Sequence, residues 1–409
     1  MDTPVLFSES SKFHVRNDGL TKRRRWLVVD FDGTCTEHDT TPLLPKLASF
    51  ASRSRSSLPL NKSKSNLNEQ SDESEHTEEY DHEKDLQWRL SQFAQLEKEF
   101  LKRYSEAKSS MLSDETGETE QRLRSIQDAL DALDEPSTTV THMVSKSRVL
   151  HGLGHADSIE MEGMLNVRGI STSVGCESIN TEMDKACAQD ERIEVHLKPG
   201  CETTLARILM SHSTPNDVTE VSYNNPCMGW SLAILSINWC PALIDASLVQ
   251  PVLRKKRSLL NQQHCETEVP IWSNNVDGEG VVTLHVPGAK AKRERIIELR
   301  KCLVQMNDNS EEVDTCSKHL IVYVGDSSTD LAALLEADVG IIMGNSESTR
   351  NIAEKWGIEI VPLKNRHEYG FDIQIGMPRG KGNKTRLWQV DNWQMINETL
   401  EELDIHWKC

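Results

Sequence analysis

The sequence predicts an α/β protein: a parallel sheet with helices on both faces, interrupted after its first strand by a helical block. Three observations predict it. Trp26 to Asp30 reads WLVVD, apolar at consecutive positions, as a strand buried on both faces reads. From Ser231 onward short apolar runs alternate with helical patterns, the signature of a parallel sheet. Between these parts the strongest periodicity is helical.

Taken in order, the first strand ends in an Asp-Phe-Asp-Gly-Thr turn, and a helix is expected near Pro42–Phe50. Residues 51–85 are rich in Ser, Asn, Glu and Lys and poor in large apolar residues. Such a composition does not offset the entropy of ordering, so a disordered insert is expected there. Leu86, Leu90, Phe93, Phe100, Tyr104, Ala107 and Met111 keep helical spacing over Leu86–Leu112. A second amphipathic helix is expected over Gln121–Leu133, with Pro136 as its stop, and a third over Thr141–Leu150. Residues 152–189 lack a period and read as loop. Cys201–Met210 reads as a helix after the Pro199-Gly200 turn.

Strands are then expected at Ser231–Ser236, Val269–Ser273, His319–Val324, Val339–Met343, Ile358–Pro362 and Leu387–Val390. Val281–Val286 reads as half of a hairpin after Asp277-Gly278. Helices are expected at Ala242–Val249, Lys292–Val304, Thr329–Glu336, Ser348–Trp356 and Asn392–Leu403. The division that follows is an arm at 1–25, a sheet domain at 26–50 and 215–409, the acidic insert at 51–85 and a helical block at 86–214.

The chain has 409 residues, 64 of them acidic and 46 basic, for a net charge of −18. That balance argues against a general nucleic-acid binder, whose footprint is a basic face. It fits an anionic membrane surface no better. Nine acidic residues and one lysine lie between Glu69 and Asp85, so nearly half of the excess sits in one short run and says little about a substrate. The ten cysteines include no CxxC pair, which argues against a zinc site and for free thiols in a reducing compartment. Residues 1–18 lack an apolar signal core, and no apolar run reaches the ~20 residues of a membrane span. A cytoplasmic location is expected, the mitochondrion being the alternative. The basic run Thr21–Arg25 reads as a solvated approach to the first strand rather than a nuclear signal.

Ligands of open parallel sheets bind at the carboxyl ends of the strands. The first strand ends on Asp30 and Asp32. Ser231–Ser236 ends on Ser236. His319–Val324 is followed by Gly325-Asp326-Ser327-Ser328-Thr329-Asp330, and the helix after the hairpin opens with Lys290, Lys292 and Arg293. Four carboxylates, a hydroxyl and a lysine around one point suit phosphoryl transfer. Bare carboxylates repel a phosphate, and a hard cation such as Mg²⁺ removes the conflict. A lysine neutralises developing charge, one carboxylate attacks phosphorus and another moves the proton.

These residues resemble the four motifs of the haloacid-dehalogenase (HAD) phosphohydrolases: Asp30-Phe31-Asp32-Gly33-Thr34, then Ser236, then the lysine, then Gly325–Asp330. The resemblance implies a Rossmann-like core with a helical cap inserted after the first strand. Within the family, DFDGTCT, LSINWC, YVGDSSTDLAALLEADVGIIMGNSES and GIEIVPL resemble the phosphatase domains of plant bifunctional thiamine-biosynthesis proteins, which act on thiamine monophosphate. There that domain is fused to a thiaminase-II-like (TenA) domain, which is not expected here because the N-terminal arm is only about two dozen residues. The helical block and the LKPGC turn match more loosely.

Carried over, the resemblance makes Asp30 the nucleophile and a Mg²⁺ ligand. Asp32 becomes the general acid/base, its backbone carbonyl on the metal. Asp326 is a metal ligand and Asp330 a support, directly or through water. Ser236 and backbone amides after Asp30 would hold phosphoryl oxygens, with Thr34, Asn238 and Ser327 among the substrate-binding residues. Lys292 is preferred to Lys290 because it sits one turn before Ile296, where the helix meets the sheet, whereas Lys290 faces Glu294 at that offset. Trp239 has two readings, a packed aromatic or a wall for a heterocyclic substrate. Glu37 and Asp39 read as linker polar residues, or as charge offered to a cationic substrate.

The expected partner is therefore a small phosphorylated metabolite, with no nucleic acid and no membrane. Thiamine monophosphate leads. Phosphoserine, phosphoethanolamine, pyridoxal phosphate or a nucleotide are alternatives within the class, and a non-catalytic binding module is the alternative outside it.

Overall fold

Strand β1 (Arg25–Val29) is buried along its whole length, with side chains alternating between two apolar layers. Leu27 and Val29 enter one core cluster, Trp26 and Val28 the other. The computed structural model describes residues 25–56, 81–113, 119–169, 192–210, 230–260, 267–308, 319–368 and 386–407. The basic run before Arg25 and most of the acidic insert lie outside them.

After β1 the chain runs through α1 (Leu44–Ser56), α2 (His82–Ser113), α3 (Thr119–Ala132), α4 (Asp134–Ser147) and α5 (Ser158–Met164). Strands β2 (Leu165–Arg168) and β3 (Ile193–His196) form a small parallel pair, and α6 (Cys201–Met210) follows. The sheet resumes with β4 (Trp230–Leu235). Next come α7 (Pro241–Ile244), a π-helical turn over Asp245–Val249, and α8 (Gln250–Leu260). Strand β5 (Ile271–Trp272) precedes the antiparallel pair β6 (Asn275–Val276) and β7 (Val282–Thr283). The chain continues through α9 (Ala289–Asp308), β8 (Leu320–Gly325), α10 (Leu331–Glu336), β9 (Val339–Met343) and α11 (Glu347–Lys355). It ends with β10 (Glu359–Pro362), β11 (Arg386–Val390) and α12 (Trp393–Trp407).

Seven strands make one sheet in the order β10-β11-β9-β8-β1-β4-β5, every pairing parallel. One face is covered by α6, α8 and α12, the other by α3, α9, α10 and α11. A third apolar cluster lies within the inserted block, built on Leu44, Leu47, Phe93, Val140, Val144, Leu150 and Met161. The α/β class, the parallel sheet and the helical insertion after the first strand are therefore as expected. The chain leaves β1 toward β4 on one side and β8 on the other, which opens a crevice at the carboxyl end of β1.

Several boundaries differ from the expectation. Helix α1 runs on to Ser56 because Ala51 is buried against the insertion core. Helix α2 begins at His82, where Asp85 pairs with the buried Arg89 at 2.7 Å. The two ends of 51–85 are thus helical. Pro136 does not mark a stop: it lies in the first turn of α4, where a missing N–H costs nothing. Residues 158–164 form a helix rather than loop, opened by a capping box between Asp157 and Glu160.

Candidate active site

The crevice at the end of β1 gathers the charged residues. Asp30 follows β1 directly and continues its ladder, its N–H donating to Val324 O at 2.9 Å. The loop after it turns back tightly at Gly33, φ +69°, where a Cβ would also collide with the Asp326 carboxylate; only glycine fits both demands. Asp326 and Asp330 lie beyond β8, and Lys292 reaches in from the first turns of α9. One carboxylate oxygen from each of Asp30, Asp326 and Asp330 lies within 4.8 Å of the others.

Lys292 is wholly buried between two of them, its Nζ 3.1 Å from Asp30 Oδ1 and 2.7 Å from Asp330 Oδ1. Lys290 instead points outward, half exposed and 3.9 Å from Asp131. Asp330 is saturated. Its Oδ1 accepts from Lys292 and from the Tyr323 hydroxyl at 2.6 Å, and its Oδ2 from the amides of Asp326 and Ser327 and the Ser327 hydroxyl. Asp326 takes a hydrogen bond from Thr34 Oγ1 at 2.9 Å. Asp30 Oδ1 is buried and, the ion pair aside, has no hydrogen-bond donor.

The charges respond accordingly. Burial drives the Asp30 carboxyl well above the usual carboxylate range, Asp330 adds to this, and Lys292 opposes it. Burial and Asp330 push Asp326 up to about 7, against Thr34, Lys292 and Lys198. At Asp330 burial raises the value, but Lys292, Tyr323 and the Ser327 amide together outweigh it and hold the carboxyl below its usual range. Burial alone would discharge Lys292; Asp30 and Asp330 outweigh it and push the ammonium above its ordinary value. Three close carboxylates with one lysine leave uncompensated negative charge, and the donor set is all oxygen. That set fits a hard divalent cation such as Mg²⁺, and the orphaned Asp30 oxygen is the atom a cation would satisfy.

Asp32 stands beside this group. Its Oδ1 accepts from the amide and hydroxyl of Thr40 at 2.8 and 2.6 Å, and its Oδ2 from Asn238 Nδ2 at 2.9 Å. Burial and the neighbouring Asp39 raise its carboxyl to about 6, against the Asn238 and Thr40 hydrogen bonds. A carboxyl near 6 can both give and take a proton around neutral pH.

The remaining expected site residues fall in the same crevice. Ser236 is buried at the end of β4, its Oγ accepting from Asn238 N at 3.2 Å. Thr34, Asn238 and Ser327 spend their polar groups on Asp326, Asp32 and Asp330, so they brace carboxylates. Trp239 is half-buried and meets Phe93 of α2 edge-on, ring centroids 6.4 Å apart. Glu37 lies 3.8 Å from His196 Nδ1, and Asp39 caps the Thr41 amide at 2.8 Å, as linker residues do.

Four contributors escape a reading of the sequence. Tyr323 carried one signal, a hydroxyl inside a strand that is otherwise aliphatic; a buried phenol needs a partner. Tyr104 reads as one more residue of an amphipathic face, yet its hydroxyl meets Ser328 Oγ in the loop after β8. Thr40 and Asp134 carried no signal.

Sheet order, point of insertion and the residues at the strand ends resemble those of HAD-type phosphatases. Over 170 residues the chain is 28% identical to the bifunctional TH2 protein, mitochondrial, of Arabidopsis thaliana. That match covers 41% of this chain and 25% of the relative, so the chain spans about a quarter of the length of the relative it matches. The chain is also similar to two solved structures, a phospho-aspartyl intermediate analogue of phosphoserine phosphatase and a substrate-bound phosphoserine phosphatase. Each is 12% identical with a TM-score of 0.29, covering 81% and 80% of this chain and 91% and 90% of theirs. A likeness that loose carries no argument; the fold rests on its own strand order. No family model matches the chain. Among the described residues no helix is long and apolar enough to cross a membrane.

Proposed function

We propose that the protein is a Mg²⁺-dependent phosphomonoester hydrolase working through an aspartyl-phosphate on Asp30, with thiamine monophosphate as its leading substrate. The observation that carries this reading is the buried Asp30–Lys292–Asp330 chain with Asp326 beside it, at the ends of adjacent parallel strands. Asp30, Asp326, the backbone carbonyl of Asp32 and, directly or through water, Asp330 would hold Mg²⁺, which supplies charge neutralisation at the phosphoryl oxygens.

An Asp30 carboxylate oxygen attacks phosphorus, and the bond from phosphorus to the ester oxygen breaks. Asp32 gives its proton to that departing oxygen. Water then attacks the aspartyl-phosphate, Asp32 takes a proton from it, and phosphate leaves with Asp30 restored. The sum is one ester and one water giving one alcohol and one phosphate. Lys292 holds Asp30 in line and offsets charge on the transferring group. Ser236 offers its hydroxyl to a phosphoryl oxygen.

On this reading residues 26–50 and 215–409 are the catalytic core, with the first strand starting one residue earlier, at Arg25. Residues 86–214, joined by α1 and the start of α2, are the cap, except that α6 covers one face of the sheet and so goes with the core. Thiamine monophosphate is favoured by the resemblance of DFDGTCT, LSINWC and YVGDSSTDLAALLEADVGIIMGNSES to the phosphatase domains of plant thiamine-biosynthesis proteins. Trp239, next in sequence to the Asn238 that holds Asp32, and its neighbour Phe93 would offer aromatic surface suited to a planar cationic leaving group. A cytoplasmic location goes with this reading; the relative's name gives the mitochondrion for that protein, and fractionation decides between them.

The test is phosphate release with Mg²⁺ over a panel of small phosphomonoesters that includes thiamine monophosphate. A preference for that ester by kcat/KM supports the full reading, and activity without it keeps only the hydrolase. Asp30→Asn should abolish turnover with the fold intact, and near-normal turnover in that variant would end the mechanism.

A further inference from the structure

The helix that carries Lys292 begins without a capping side chain of its own. Position 288, just before α9, is glycine. A helix start leaves several N–H groups without partners. Here they are taken up from a distance. Asp134, the first residue of α4, places Oδ1 2.8 Å from Ala289 N and Oδ2 3.1 Å from Lys290 N. Glycine at 288 is required for this, because a Cβ there would collide with the Asp134 carboxylate. Lys292 N donates to Gly288 O at 3.1 Å, so the turn that Asp134 caps is the one Lys292 closes. Asp134 belongs to the inserted block, 155 residues from Ala289 in sequence, and α3 beside it packs on α9.

We infer that Asp134 is a positioning residue for Lys292: by capping α9 from the inserted block, it fixes the turn that aims the ammonium between Asp30 and Asp330. The inference rests on the hydrolase reading, which gives Lys292 its task. Lys292 Nζ sits 3.1 and 2.7 Å from its two carboxylates in a fully buried slot. An uncapped first turn frays, and small misplacements of a group beside a reacting centre are costly. Seating of the inserted block and aim of the lysine are thereby one event. The usual arrangement, a capping residue next in sequence to the helix, would leave them independent.

The test uses the full chain with Mg²⁺ and p-nitrophenyl phosphate. Asp134→Ala should lower kcat roughly five- to tenfold with KM within about twofold, the size of a lost cap. Adding Gly288→Ser to that variant should restore kcat to within about twofold, because the carboxylate that barred a side chain is gone and serine is a good N-cap. A folded Asp134→Ala chain with wild-type kcat overturns the inference, as does a loss that Gly288→Ser leaves unrepaired. If Asp134→Ala does not fold, Asp134→Asn keeps the shape but sets an NH₂ donor against one of the two capped N–H groups; a lower kcat at constant KM supports the inference, and an unchanged kcat overturns it. A wild-type chain without turnover would instead end the hydrolase reading, and this inference with it. An active wild type indifferent to Asp134 ends this inference alone.

Discussion

At Lys292, stability and chemistry meet in one side chain. Among the described residues it is the one cation paired with both of these buried carboxylates, so removing it leaves like charges facing each other out of water. Lys292→Ala should cost about 3–5 kcal/mol in a urea melt, the usual penalty for breaking a buried pair from one side. It should also remove at least ~100-fold of kcat, on the scale of a lost charge-stabilising donor. Wild-type turnover in that variant would remove Lys292 from the site. Asp134 gives a second test, in pH. Burial pushes its carboxyl from 3.8 up to about 6, with Asp131 adding to this and the Ala289 and Lys290 amides and the Lys290 charge opposing. The folded chain then holds this proton more tightly than the unfolded chain does. The group's contribution is full below about pH 4 and is lost as pH rises through 6. Asp134→Asn lacks that titration, so wild-type stability relative to the variant should fall by at most about 3 kcal/mol between pH 4 and 7. Parallel stability curves would refute the assignment. Of this site, Asp30, Asp32, Ser236, Lys292, Asp326 and Asp330 were legible because each sits at a strand end or helix start marked by the sequence. Tyr323, Thr40 and Asp134 were not, because each acts through a contact that only the tertiary fold makes.

Helix α2 shows what periodicity can and cannot say about an element. The spacing from Leu86 to Met111 gave the helix and its apolar face. It could not tell that this one face serves two bodies. Phe93 and Leu96 pack in the insertion core, Tyr104 and Ala107 lie against the sheet domain, and Met111 is buried in that second core. The helix thus crosses the crevice, meeting Trp239 after β4 through Phe93 and Ser328 after β8 through Tyr104, with Lys355 Nζ donating to Met111 O at 2.7 Å. Tyr104→Phe removes the hydroxyl and its contacts with Ser328 and Ser348 while keeping the ring. It should lower kcat/KM by about three- to tenfold, chiefly through KM, and cost no more than about 1.5 kcal/mol in stability. An unchanged KM would show that the contact does not hold the crevice shut. The elements read as loop from sequence were short ones: α5 has seven residues and β2 four, too few for a period, and the Asp157–Glu160 capping box was the signal at α5.

At the scale of the whole molecule, three apolar cores among the described residues hold in place the groups that the crevice brings together. Two lie on either face of the sheet and fix the strand ends; the third builds the insertion, which supplies Tyr104 and Asp134 to the site. Such a frame can keep three carboxylates within 4.8 Å of one another although they repel, because the cost is carried by packing elsewhere. A bound cation should return part of that cost as stability. Ligand at a hundredfold its dissociation constant adds about 2.7 kcal/mol, which corresponds to roughly 3 °C for a chain of 409 residues. Mg²⁺ should therefore raise the melting temperature of the wild-type chain by a few degrees. Asp326→Asn removes one of the repelling charges, so this variant should melt at or above the wild type without metal. It also removes a ligand, so it should gain little when Mg²⁺ is added. Crossing of the two melting temperatures on titration with Mg²⁺ is the expected outcome, read by thermal melts independently of any turnover. Equal shifts in both chains would place the cation elsewhere, and a wild-type chain indifferent to Mg²⁺ would mean that the three carboxylates hold no cation.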